Sequence, residues 1–79
     1  MGSVPVTIRV PAGKEPTYVA FAHAGTASVK LVITNEGNDV ATFNHGGHLA
    51  VGNSIVIVVA GEHLTCQSDK GTVLTVQAV

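Results

Sequence analysis

Two histidines separated by two glycines are the residues with the clearest potential for chemistry. Residues 45–48, of sequence HGGH, place two imidazoles three positions apart on a predicted turn. Imidazole nitrogens bind zinc and nickel, and His23 or His63 could complete such a site. Structural zinc sites use four ligands, however, and nothing else in the chain has the spacing of a metal motif. We therefore interpret the segment as a glycine turn flanked by exposed or hydrogen-bonded histidines. His45 and His48 stay as the candidate metal ligands, and no cofactor is expected.

The thiol and the carboxylates fit structural roles. Cys66, the single cysteine, is in phase with Leu64 on a predicted strand, which is typical of a buried apolar side chain rather than of a thiolate beside a base. Paired carboxylates for acid–base chemistry project from rigid elements into a cleft. The carboxylates of this chain all lie in predicted turns: Glu15, Glu36, Asp39, Glu62 and Asp69. The sequence therefore predicts a protein that is not an enzyme.

A lysine lies on a predicted hairpin near the end of the chain. Residues 67–71, of sequence QSDKG, resemble the hairpin of lipoyl and biotinyl domains, all-β modules of similar length that carry a modifiable lysine. In those domains the lysine lies near the middle of the chain, whereas nine residues follow Lys70 here. We interpret Lys70 as a surface lysine and keep a lipoyl-like carrier domain as an alternative function.

The composition indicates that part of the surface is covered. The 79 residues are 46% hydrophobic and 11% charged, against about 25% charged in an ordinary soluble domain. A chain of this length forms one domain, residues 1–79, and buries only about 60% of its unfolded surface. Small domains compensate with disulfides, a metal or oligomerisation. One cysteine allows no internal disulfide, so we expect a homo-oligomer, with a trimer favoured.

Charge and hydropathy argue against several classes of partner. The net charge is −1, the four lysines and arginines are spread along the chain, and three aromatic residues offer few stacking surfaces. We therefore expect no nucleic-acid partner. No apolar run approaches the 18 residues or so of a membrane span, so no membrane association is expected. The N-terminus lacks the features of a signal peptide, which predicts a protein assembled inside a cell.

The elements that must position these residues are strands. The central apolar run, Ile55 to Val59, is β-branched throughout and bounded by glycines at 52 and 61. It lacks polar alternation, which predicts a strand in the centre of a sandwich or beneath a partner chain. We expect Ile55, Ile57 and Val59 to fill the core, and Val56 and Val58 to face a second layer or a neighbouring subunit.

Shorter patterns predict the remaining strands. They cover residues 4–10, 17–22, 28–34, 40–43, 49–51, 63–67 and 72–79, with turn signals between them. Pro5 favours an edge position for the first strand or the first residue of that strand, and residues 1–10 are treated as a possible edge strand or arm. Asn35 to Asp39 predicts a hairpin with positive φ at Gly37 or Asn38, which would return residues 40–43 antiparallel to the third strand. The fold class is all-β: a small antiparallel β-sandwich or barrel of seven to eight short strands.

The size, composition and strand pattern of the whole chain resemble those of small all-β capsid decoration (cement) proteins of tailed bacteriophages. The resemblance implies a structural virion protein, assembled in the host cytoplasm, that stabilises a capsid through contacts with its own copies and with the major capsid protein or other virion subunits. The expected interface residues are Val4, Val6, Val56 and Val58. A receptor- or carbohydrate-binding β-module of a phage tail or fibre is the alternative.

Overall fold

The computed structural model describes residues 5–20, 29–59 and 63–79, and this part of the chain is all-β. Val4, His23 and Glu62 lie outside those ranges. Eight strands and no helix are present in the described residues. The strands are β1 (Val6–Val10), β2 (Gly13–Ala20), β3 (Val29–Asn35), β4 (Ala41–Phe43), β5 (His48–Leu49), β6 (Ser54–Val59), β7 (Leu64–Ser68) and β8 (Thr72–Ala78).

The strands form two four-stranded sheets. The first sheet has the order β1-β8-β3-β6, and the second has the order β2-β7-β4-β5. Neighbouring strands within each sheet run antiparallel. The predicted all-β class and the number of strands are confirmed. β1 lies at an edge of its sheet, as Pro5 favoured.

The core lies between the two sheets and is built from alternate residues of each strand. In the first sheet Ile33 lies opposite both Ile55 and Val76, so these side chains point to the same face. In the second sheet Phe43 lies opposite Cys66. The buried apolar residues are Val10, Leu31, Ile33, Ala41, Phe43, Leu49, Val59, Leu64, Cys66, Leu74 and Val76. As the sequence predicted, Val59 of β6 and Leu64 and Cys66 of β7 are buried, and Ile55 and Ile57 pack against this core.

The sequence predicts the order and the boundaries of the strands less well than it predicts which side chains face inward. β6, expected in the centre of a sandwich or beneath a partner chain, lies at an edge of the first sheet. Residues 11–16 were expected to form a turn, but β2 begins at Gly13 and includes Pro16. β2 is also an edge strand, and an edge tolerates the missing N–H of proline.

The connection from β3 to β4 crosses between the sheets instead of forming a hairpin. β4 pairs with β5 and β7 in the second sheet, not with β3, so the predicted return of residues 40–43 is wrong. Gly37 does not have positive φ, and neither does any described residue other than glycine. The glycine is needed for space, because a Cβ at this position would overlap Thr72 Oγ1 and the Val73 amide nitrogen.

The two glycine turns that the sequence predicted do bend the chain where expected. Gly46, with φ of 97°, lies in the turn between β4 and β5, which is a true hairpin. Gly71, with φ of 87°, lies in the turn after β7. That turn leads from the second sheet into the first, so residues 68–71 connect the sheets and do not close a hairpin.

Asn35 anchors the end of β3 where the two sheets meet. Its side chain is fully buried and its Nδ2 donates hydrogen bonds to the carbonyls of Asp39 at 2.8 Å and Leu49 at 2.9 Å. Its Oδ1 accepts from the Gly37 amide at 3.0 Å and from Thr72 Oγ1 at 2.6 Å. This one amide therefore connects β3 to β5, to β8 and to the crossing connection.

Candidate functional site

The two histidines of the HGGH segment lie on opposite faces of the β4–β5 hairpin. The His48 ring nitrogen Nδ1 is 3.1 Å from Thr42 Oγ1, and these two residues are directly opposite in the ladder. The His45 ring packs against Phe43, with ring centroids 5.8 Å apart. Thr42 and Phe43 are consecutive in β4, so their side chains point to opposite faces. The hairpin therefore separates the two imidazoles instead of directing them to a shared ion.

His45 shares a small cavity with a different histidine. The cavity has a volume of about 210 Å³ and is lined by Asn44, His45 and His63 on one side and by residues 57–59 of β6 on the other. The His63 ring also makes an edge-to-face contact with Tyr18, with centroids 5.5 Å apart. Within the described ranges, no three histidine, cysteine, aspartate or glutamate side chains are grouped to hold a metal ion.

The surroundings of Cys66 and Lys70 are those of residues with a structural role. Cys66 is buried between the sheets, and this burial raises the pKa of its thiol to about 11. A thiol with such a pKa carries little thiolate at neutral pH. Lys70 lies in the exposed turn between β7 and β8, where its backbone amide donates to Asp39 Oδ2 at 3.0 Å. The lysine amide thus helps to hold the turn in place.

Asp39 is the one described carboxyl with a clear change in pKa. Hydrogen bonds from Ser68 Oγ, at 2.7 Å, and from the Lys70 amide hold the pKa of Asp39 below its ordinary value. These partners are the last residue of β7 and a residue of the turn that follows it. Asp39 therefore ties the β3–β4 connection to the β7–β8 turn, where the chain also passes between the sheets.

A second cleft lies beside the β3–β4 connection and the turn between β7 and β8. It has a volume of about 390 Å³, and its lining includes Arg9, Asn38 and Val73. Arg9 supplies its one charged side chain. The cleft is wide and open, and it contains none of the groups that the sequence marked for chemistry.

The outer face of the first sheet exposes valines toward β6. Val56 and Val58 are 55% and 58% exposed, and they lie on the face opposite to Ile55 and Ile57. Val32 of β3 is directly opposite Val56 and extends the apolar surface inward along the sheet. Val6 is 57% exposed but lies opposite buried Val76, at the inward side of edge strand β1. Of the expected interface residues that the structure describes, Val56 and Val58 thus share one surface and Val6 lies at the opposite edge.

β6 also has backbone groups that its neighbour does not use. The backbone N–H of Asn35 donates to the backbone carbonyl of Asn53 at 3.0 Å, so Asn35 is a hydrogen-bonded position of the β3–β6 ladder. Opposite residues of an antiparallel ladder alternate between bonded and non-bonded pairs, so Ile55, Ile57 and Val59 bond to β3. The N–H and C=O groups of Ser54, Val56 and Val58 point to the other side, where the described residues supply no further strand.

Sequence reasoning identified the two outward valines but not this edge. An apolar run with turns at both ends is compatible with a central strand and with an edge strand, because strand order depends on contacts between distant segments. The position of β6 could be read only from its ladder with β3 and from the absence of a second described neighbour.

Comparisons of the chain with protein-family models, with curated proteins and with solved structures gave no match. A helix long and apolar enough to cross a membrane is not found in the described residues.

Proposed function

We propose that this chain is a non-enzymatic structural protein that works by self-association and by docking onto a larger assembly, as a capsid decoration protein does. The observation that carries the proposal is the edge strand β6, with six uncharged residues and two outer valines that are more than half exposed. An isolated soluble domain normally protects such an edge with charge, proline or a covering segment. An edge of this kind is suited to a protein that functions in contact with other subunits.

The rest of the described surface is consistent with this role. The His45 and His48 rings are on opposite faces of one hairpin, and the Cys66 thiol is buried. A binding role through extended surfaces therefore explains the observations with fewer assumptions than a catalytic one. The proposal requires a homo-oligomer, and it assigns the major capsid protein or another virion subunit as the second partner.

Fractionation of the native source tests the proposal directly. Lysate would be separated on a density gradient, and the chain would be followed by mass spectrometry through the particle and soluble fractions. We expect the chain to sediment with assembled heads and to be released without loss of the head subunits. Sedimentation with tails would favour the tail or fibre alternative, and recovery only in the soluble fraction would contradict the proposal. A mass increment on Lys70 would instead support the carrier alternative.

A further inference from the structure

The four described sheet edges differ in how they are protected. β5 is two residues long, and β2 carries Lys14, Glu15 and Pro16. β1 follows Pro5 and contains Arg9. Short length, charge and proline are the devices by which proteins prevent edge strands from pairing with other chains. β6, of sequence SIVIVV, has none of them.

We propose that β6 pairs antiparallel with β6 of a second copy of this chain, about a two-fold axis that passes beside Val56. This inference rests on the proposed structural function and specifies the contact that it uses. The pairing would join two first sheets into one sheet of eight strands. It would use main-chain hydrogen bonds of the kind by which an extended strand adds to a sheet edge.

The open hydrogen-bonding groups determine the register. Ser54, Val56 and Val58 point their backbone groups to the open edge, so these residues must meet their counterparts in the second copy. With Val56 opposite Val56 of the other copy, Ser54 lies opposite Val58 and Val58 opposite Ser54. This register satisfies all three residues of each strand, whereas a shift by one pair leaves either Ser54 or Val58 without a counterpart in β6.

The side chains on the outer face also match in this register. The row through the axis contains Val32 and Val56 of one copy followed by Val56 and Val32 of the other, which makes a continuous apolar stripe. The next row contains Lys30 and Val58 of one copy, followed by Ser54 and Thr34 of the other. No like charges face each other across the junction. Because the same strand supplies both halves of this match, a second copy is the occupant that the edge fits.

Pairing at this edge is isologous and gives a closed dimer. The trimer favoured by the sequence would require a head-to-tail contact, in which β6 of one copy pairs with β1 of the next. β1 is less suited to that contact, because Pro5 has no N–H to donate and Arg9 places a charge on the outer face of the strand. The geometry therefore favours the two-fold contact over the ring.

Charge substitutions at position 56 test both the edge and the axis. In a two-fold pairing residue 56 meets itself, so Val56→Lys places two ammonium groups opposite each other and Val56→Glu places two carboxylates there. Either variant alone is expected to weaken dimerisation by about tenfold or more. An equimolar mixture of the two is expected to restore the dimer as a heterodimer, since lysine then faces glutamate.

The matched control is Thr7→Lys, which puts the same charge on the outer face of the other edge strand of the same sheet. On β8, the backbone groups of Val73 and Val79 bond to β3, so those of the alternate residues Leu74 and Val76 bond to β1. Thr7 lies between the β1 residues that face Leu74 and Val76. Its backbone groups therefore point to the open edge, as those of Val56 do. We expect this control to leave dimerisation unchanged. Circular dichroism of each variant would show whether the sheets still form.

Sedimentation velocity and native mass spectrometry provide the readout. A wild-type dimer, monomeric Val56→Lys and Val56→Glu, and a heterodimer on mixing would support the inference. A wild-type trimer, or charge variants that do not restore association on mixing, would overturn it and leave the structural function intact. A wild-type monomer would overturn both this inference and the proposed function, which requires a homo-oligomer.

Discussion

At the scale of single residues, Asn35 shows how a polar side chain can hold a small apolar core together. The side chain lies in the core with no exposure, and both of its amide donors and its acceptor oxygen have partners. A buried amide without partners would cost stability, but a fully bonded one fixes the geometry of the segments that it contacts. The residue therefore determines where the chain leaves β3.

Replacing this amide should be strongly destabilising. Asn35→Leu keeps a similar volume but leaves the Asp39 and Leu49 carbonyls and the Thr72 hydroxyl without their partner. We expect the free energy of unfolding to fall by about 2–4 kcal/mol, measured by urea denaturation. Asn38→Leu, at an exposed position in the same connection, is the control and should change it by less than about 0.5 kcal/mol. Equal effects of the two substitutions would show that the hydrogen bonds of Asn35 are not important.

Asp39 predicts a pH dependence of stability. The hydrogen bonds from Ser68 and from the Lys70 amide hold the pKa of this carboxyl below its ordinary value of 3.8 in the folded chain. A group whose pKa is lower when folded stabilises the fold above its unfolded pKa, and this stabilisation is lost as the pH falls through the folded pKa. We therefore expect wild-type stability to decline below about pH 4–5 as the ionised form is lost.

The variant Asp39→Asn removes this titration. It should be less stable than the wild type at pH 7, and its stability should decline less steeply as the pH is lowered. Asp69→Asn, which changes an exposed carboxyl in the turn after β7, is the control and should retain the steep decline. Urea midpoints measured from pH 7 to pH 2.5 would decide, and parallel curves for the wild type and Asp39→Asn would contradict the assignment.

At the scale of elements, the sequence predicted which residues face inward more accurately than which strands are neighbours. The inward positions of β6 and β7 follow from alternation along a few residues, and the structure buries Val59, Leu64 and Cys66 accordingly. Pairing partners depend on contacts far apart in the chain. Residues 36–40 have the composition of a hairpin. In the structure, however, Asn35 holds this connection against β5 and Gly37 packs on Thr72, and these contacts direct the chain to the other sheet.

The same limit applies to the candidate sites. The spacing of His45 and His48 favoured a glycine turn and left a shared ion as the alternative. The hairpin places the neighbours Thr42 and Phe43 on opposite faces, and each histidine lies on the face of one of them. Outward Val56 and Val58 were identifiable from period-two alternation with Ile55 and Ile57. The open edge of β6 could not be identified, because it depends on the ladder with β3 and on which strand is the last of its sheet.

At the scale of the whole molecule, low charge, short length and an unprotected edge point to a fold that gains stability from association. A domain of this size buries too little surface for a large margin of stability on its own. Pairing of β6 would place Val56 and Val58 between neighbouring strands and satisfy six backbone groups of each chain. Because the paired form contains only folded chains, association and folding are linked by mass action.

This linkage predicts that the thermal midpoint depends on protein concentration. For a dimer of domains of this size, each tenfold increase in concentration should raise the midpoint by about 3–5 °C, because unfolding then separates two chains. The midpoint of Val56→Lys should not change with concentration, and that of Thr7→Lys should rise as in the wild type. Differential scanning fluorimetry with an external dye, checked by calorimetry at the highest concentrations, gives the measurement. A wild-type midpoint that is constant over two orders of magnitude in concentration would mean that the sheets are stable without a partner, and the apolar edge would then need a different explanation.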